Sequence, residues 1–352
     1  MWLQMQHHGD PQRIVLAFRT NAPAWTLSVS SARPPMTSLP RTWTLTDGHA
    51  GNVRQAAALA HALGLPAREW VLQARAPWKQ LAPRVLPGSD GAFGPQFQTA
   101  LDHAPALAIG CGRQAALATR VLRAYGSRVI QILDPRVRPQ HWDLVIAPTH
   151  DGLRGPNVLT LLGSLHPVDD AWLADARQQF SRLGALPGPR TALLVGGPSA
   201  HATLDAGEIQ RICLAINPIV QREGGTLMIA TSRRTPAEVV AVLRERYGNT
   251  RHLLWCDDGD GANPYPGLLG WADRIVCTAD SVNMLSEACA THAPVFVPTP
   301  ERVRGRPQRF LRALLERGRI HALDDTLEHF EVTPLRETAR VARQVKLRLG
   351  LG

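Results

Sequence analysis

The sequence predicts an α/β protein of two doubly wound domains, and three observations carry that prediction. Short apolar, β-rich runs recur along the chain. Most of them stop at a turn bearing Gly, Asp or Thr, and the turn then opens a helix with a single apolar face. With 352 residues there is room for two domains of ordinary size, each closing its own core.

Residues 1–40 pattern weakly. Their apolar patch, Ile14 to Phe18, is broken by Arg19, so the segment is expected to be poorly ordered, an over-long start ahead of Met36. The first domain is expected over 41–185. Arg41 to Leu45 reads as its first strand and Thr46 to Asn52 as a turn before a helix from Val53 to Leu63. Gly48 and Gly51 would let the backbone approach a ligand and leave helix N–H groups free. Asp47 and His49 add a carboxylate and an imidazole at the mouth of a cleft, groups able to take a proton or position a hydroxyl.

The pattern then repeats. Ala106 to Ile109 ends in Gly110-Cys111-Gly112-Arg113-Gln114, where Gly112 sits in the turn and Arg113 places a cation at the start of a helix from Ala115 to Ala124. Val129 to Leu133 ends in Asp134-Pro135-Arg136, and Asp143 to Ala147 ends in Pro148-Thr149-His150-Asp151. A parallel sheet would gather these loops along one rim, which makes His150 and Asp151 second candidates for acid–base work.

Leu186-Pro187-Gly188-Pro189 reads as a connector after a helix from Asp170 to Leu183, with a second domain expected over 190–325. Its first strand, Thr191 to Val195, runs into Gly196-Gly197-Pro198-Ser199, a turn able to hold phosphate through backbone N–H groups. A helix from Asp205 to Arg222 follows. The strand Gly225 to Ala230 ends in Thr231-Ser232-Arg233-Arg234-Thr235-Pro236. Thr235 is placed to cap the next helix and Pro236 to open it, so Ser232, Arg233 and Arg234 stand where a diphosphate would be held. His252 to Trp255 leads to Asp258-x-Asp260, an acidic turn rather than a metal site, and Asn263-Pro264-Tyr265 opens another helix.

The most informative stretch is Trp271 to Val297. It reads as a strand to Thr278, a helix starting at Asp280 or Ser281, and a strand from Pro294. Val282, Leu285 and Cys289 mark the packed face of that helix, whereas Asp280, Asn283 and Glu287 share the other. Carboxylates beside a helix N-terminus at a strand's carboxyl end suit a nucleotide, with its phosphate on the N–H groups and a carboxylate on the ribose.

Net charge is +10, yet Lys79 and Lys346 are the only lysines among 39 basic residues, a bias that follows genome composition more than function. The charge favours nucleotide phosphates or an anionic membrane face, and nucleic acid is not expected as a partner. Arginines at 304, 306, 309 and 312, and a basic amphipathic helix within 330–352, roughly Pro334 to Leu349, suit such a membrane face. No apolar run approaches the roughly 18 residues of a span. The five scattered cysteines imply free thiols in a reducing compartment, so the expected location is cytoplasmic, peripheral to the inner membrane.

With these residues in hand, LTDGHAGNVRQA (45–56), GCGRQAA (110–116), QILDPR (131–136), DLVIAPTHDG (143–152), LLVGGPS (193–199), ATSRRTP (230–236), NPYPGLL (263–269) and TADSVNMLSEA (278–288) together resemble the family of the plant mitochondrial-fission protein ELM. Its bacterial members are classed as candidate glycosyltransferases. The resemblance implies a GT-B-like arrangement of two Rossmann-like domains facing across a cleft, the C-terminal one holding a nucleotide-diphosphate sugar donor and the N-terminal one an acceptor. It implies no metal or cofactor, because arginines and helix ends carry the diphosphate's charge. By the same similarity Glu287 would bind the ribose, Asp280 and Ser281 would lie near phosphates or sugar, and Asn283, where Ser is expected, would alter donor choice. The implied reaction is sugar transfer to a lipid-linked or lipopolysaccharide acceptor, with Asp47 or His49 taking the proton. A nucleotide-sugar 2-epimerase and a non-catalytic adaptor share the same build.

Overall fold

Twelve short strands, all paired in parallel, form two six-stranded sheets in a computed structural model that describes residues 41–351. The expectation for 1–40 lies outside the described residues. The first sheet comprises β1 (Thr42–Thr46), β2 (Ala67–Val71), β3 (Leu107–Cys111), β4 (Arg128–Ile132), β5 (Leu144–Pro148) and β6 (Val158–Leu161). The second comprises β7 (Arg190–Val195), β8 (Thr226–Thr231), β9 (Leu253–Trp255), β10 (Arg274–Cys277), β11 (Val295–Val297) and β12 (Ile320–Ala322). Helices connect and cover them: α1 (Ala50–Leu63), α2 (Trp78–Leu81), α3 (Pro95–Ala100), α4 (Arg113–Ala124), α5 (Asp170–Gln179), α6 (Ala206–Arg222), α7 (Ala237–Tyr247), α8 (Tyr265–Trp271), α9 (Val282–Cys289), α10 (Gly305–Glu316) and α11 (Thr338–Leu349).

Parallel strands must be joined by crossovers and are covered on both faces, which is why β1, β3, β5 and β10 are buried along their whole length. Apolar clusters lie on both faces of each sheet, giving two Rossmann-like lobes in a GT-B-like pair.

Sheet order fixes where a ligand can go. The orders are β2-β1-β3-β4-β5-β6 and β12-β11-β10-β7-β8-β9. In each lobe the chain moves first to one side of its opening strand and later to the other. The loops after β1 and β3, and those after β7 and β10, therefore diverge at the crevice where α/β sheets bind ligands.

Three edge strands, β2, β6 and β12, are absent from the expected set. β2 and β12 show one buried residue each and lack the apolar run that marks a buried strand, whereas β6, Val-Leu-Thr-Leu, is an apolar run of only four residues with two of them buried. The boundary between lobes also differs. α5 packs on α8, with Leu173 and Leu183 in the second lobe's core, so by packing the crossover lies ahead of α5 rather than at Leu186–Pro189.

The last helix returns to the first lobe. Val341, Ala342, Val345 and Leu349 are buried with Leu59 and Ile109 on the outer face of the first sheet. This apolar face, expected to meet a membrane, instead completes a core. Arg336, Arg340 and Arg348 donate to the carbonyls of Ala290, Thr160 and Pro156. Among the described residues no helix is long and apolar enough to cross a membrane.

Candidate active site between the lobes

At the second lobe's crevice the loops after β7, β8 and β10 are knitted together. Gly196 N–H donates to the Thr278 hydroxyl at 2.8 Å and Gly197 N–H to Asp280 Oδ2 at 2.6 Å. A methyl on Gly197 would run into the carbonyl of Arg234, so only glycine allows this approach. Thr235 does not cap α7 as expected. Its hydroxyl donates to the carbonyls of Val195 and Gly196 instead, accepts from Ser232 N–H, and leaves Pro236 as the N-cap. Arg233 and Arg234 are exposed, and Arg234 reaches within 4.0 Å of Asp280.

Asp280 lies ahead of α9, while Ser281 caps that helix by accepting from Met284 N–H. Burial raises the Asp280 pKa, opposed by the Thr278 hydroxyl, the Gly197 N–H and Arg234. Its second oxygen, Oδ1, is buried without a partner among the described residues. Ser199 closes its own turn by accepting from His201 and Ala202 N–H.

The polar face of α9 meets the first lobe. Arg54 Nη1 donates to Glu287 Oε1 and Oε2 at 2.8 and 2.6 Å, and the Tyr265 hydroxyl donates to Oε2 at 2.6 Å. The Glu287 side chain is only 3% exposed. Burial works against the Arg54 cation, but Glu287 more than offsets it and raises its pKa; burial beside Glu287 pushes the Tyr265 phenol far up. Gln55 donates to the Asn283 amide oxygen at 3.3 Å. Gly51, expected to leave room for a ligand, lies inside α1 and leaves room for Asn283. Glu287, expected to bind a ribose, holds Arg54 and Tyr265 in this structure.

On the first lobe Asp47 accepts from the Asn52 amide at 2.9 Å and lies 3.1 Å from His49 Nδ1. Asp47 is 14% exposed and His49 75%, so the acid is set in the crevice wall and the imidazole projects from it. Gly112, at φ 91°, passes close to Asn52 and Asp47, which joins the loops after β1 and β3. Gly48, at φ 82°, donates to the Thr46 hydroxyl.

His150 and Asp151 form a separate cluster three strands away. Arg306 of α10 lies 3.0 Å from Asp151 and 3.7 Å from Asp134. Burial, helped by Arg309, lowers the His150 pKa to about 4; burial also raises that of Asp151, against Arg136. The His150 ring lies 5.5 Å from that of Phe310.

Some nominated residues serve the scaffold. Arg113, expected to draw an anion, gives its guanidinium to the carbonyls of Lys79, Gln80 and Ala82. Asn263 accepts from Tyr265 N–H at the start of α8. Asp257 and Asp260 are held by Arg244. Sequence reasoning did not single out Arg54, Gln55 or Asn52, because one arginine and two amides at a helix start carry no distinguishing pattern.

The profile of the family described as Mitochondrial fission ELM1 matches residues 50–349. The chain belongs to the Mitochondrial fission ELM1 family. It is 29% identical over 283 residues to Mitochondrial fission protein ELM1 of Arabidopsis thaliana, a match covering 72% of this chain and 66% of the plant protein, just under two thirds of its length. Among solved structures, UDP-N-acetylglucosamine 2-epimerase from Rickettsia bellii is similar at TM-score 0.53 and 12% identity, over 88% of this chain and 95% of that one. UDP-GlcNAc 2-epimerase from Methanocaldococcus jannaschii is similar at TM-score 0.52 and 13% identity, over 88% and 99%. At such identity the likeness shows that this ELM1-family chain shares their fold, and no more.

Proposed function

We propose that the protein binds a nucleoside-diphosphate sugar between its lobes and transfers the sugar to an acceptor held by the first lobe. One observation carries this reading: the crevice of the second lobe, with Gly197, Asp280, Arg233 and Arg234, lies across the α1–α9 contact from the first lobe's crevice with Asp47 and His49. The diphosphate rests on the two exposed guanidinium groups and the first-turn N–H groups of α9, which stabilise the charge that develops as the diphosphate departs. Glu287 exchanges Arg54 for the pentose hydroxyls.

His49, with Nδ1 toward Asp47, presents its other ring nitrogen to the acceptor hydroxyl as general base. A lipid-linked or lipopolysaccharide sugar would approach along α10, where Arg304, Arg309 and Arg312 are exposed.

A titration of purified protein with UDP, GDP and their sugar conjugates, followed by thermal shift, tests the reading. A ligand at 100 times its dissociation constant stabilises the fold by about 2.7 kcal/mol, and Arg233→Ala with Arg234→Ala should abolish that gain. No shift at millimolar nucleotide would refute it. The Arg54–Glu287 pair favours a second reading, a non-catalytic adaptor whose lobes are clamped shut. That reading requires no nucleotide binding at all.

A further inference from the structure

We propose that the pocket beside the Gly196–Gly197 turn is the subsite for the donor's sugar, an inference that rests on the nucleotide reading above. It lies at the carboxyl ends of β7, β10 and β11, between the start of α6 and the loop after β11, with about 410 Å³ of space, part of it open to solvent. Thr278 to Asp280 form a wall that is bonded to the turn and leads into α9, so a ring in the pocket adjoins a diphosphate at the start of that helix. The unpartnered Asp280 Oδ1 is an acceptor still to be satisfied at that wall.

The polar groups opposite are held in place. Glu208 accepts from the Thr299 hydroxyl at 3.1 Å and from Arg302 at 3.5 Å, and it pairs with Arg211. Thr299 has φ 42°, a left-handed backbone that is costly for a β-branched residue and persists where the surroundings impose it. Here it sets a hydroxyl against Glu208. Carboxylate and guanidinium side by side can accept from and donate to neighbouring hydroxyls of one ring. Leu204, Ile212 and Val303 supply an apolar side for the ring's C–H face. Among the described residues no aromatic ring lines the pocket, so a nucleobase would find none of them to stack on. The chemistry fits a hexose.

Calorimetric titration of the full chain with UDP, UDP-glucose, UDP-N-acetylglucosamine, GDP and GDP-mannose tests this, using wild type, Thr203→Trp and Glu208→Gln. Thr203 is exposed at the pocket's edge, so a tryptophan there fills the space without entering the core. One sugar conjugate should bind wild type at least about tenfold more tightly than its bare diphosphate, the worth of one hydrogen bond to a charged group. Both variants should keep the diphosphate affinity within about twofold and lose that gain. A gain that survives both variants, or wild type that binds conjugate and diphosphate equally, overturns the subsite alone. Wild type that binds no diphosphate overturns the nucleotide reading, and the subsite with it.

Discussion

Arg54 of the first lobe and Glu287 of the second form a two-oxygen ion pair across the lobe interface, with the Arg54 guanidinium also 5.4 Å from the centre of the Tyr265 ring. Arg54→Ala leaves Glu287 buried without its cation. The expected cost is about 2–3 kcal/mol, below the 3–5 of a fully enclosed pair because Arg54 is partly exposed. Denaturant midpoints of Arg54→Ala, Glu287→Gln and the double variant give the coupling, and small-angle scattering should show a larger radius of gyration once the pair is gone. Additive midpoints with an unchanged radius would show that the pair does not hold the lobes.

Gly197→Ala places a methyl against the Arg234 carbonyl. Moving the backbone to relieve that clash should cost about 1–3 kcal/mol and pull apart the loops after β7 and β8. Lower melting temperature together with weaker nucleotide binding is expected; a protein with wild-type values of both would show that the loops adapt freely.

His49→Gln should slow donor turnover by about 10²- to 10⁴-fold, the usual worth of a positioned base, while leaving nucleotide affinity within about twofold. Asp47→Asn should act in the same direction through loss of His49 orientation. Release of nucleoside diphosphate with acceptor present is the assay. Equal rates in His49→Gln and wild type would move the base elsewhere.

Acid should destabilise the fold through His150 and His166. Burial lowers both from the ordinary 6.5 to about 4, so each is neutral in the folded chain where the unfolded chain is already protonated. The unfolded state then binds more protons between those values, and stability falls as pH drops from about 6.5 toward 4. Denaturation midpoints measured across that range for wild type and His166→Gln should show a flatter slope in the variant.

Inner strands such as β3, β5 and β10 were legible because burial on both faces demands apolar runs, whereas β2, reading Ala67-Arg-Glu-Trp-Val71, shows one buried residue in five and gives no such signal. The cap of α9 at Ser281 was also legible as one of two candidates, because a hydroxyl or carboxylate before an apolar-faced helix is restricted by local geometry, whereas the Gly196 and Gly197 N–H groups, expected to face a phosphate, are given to Thr278 and Asp280. Contacts between lobes were not legible. Arg54 and Glu287 lie 233 residues apart, and nothing local to either residue marks the other as its partner. The role of α11 was hidden for a related reason: an apolar stripe with basic flanks reads alike whether it covers a bilayer or a neighbouring helix.

The placement of α11 also shapes biosynthesis. Leu59 and Ile109 belong to a hydrophobic layer that Val341, Ala342, Val345 and Leu349 of α11 complete, so the amino-terminal half leaves the ribosome without its last layer of cover. It keeps an apolar face uncovered until the opposite half has been translated, and the two halves reach maturity together.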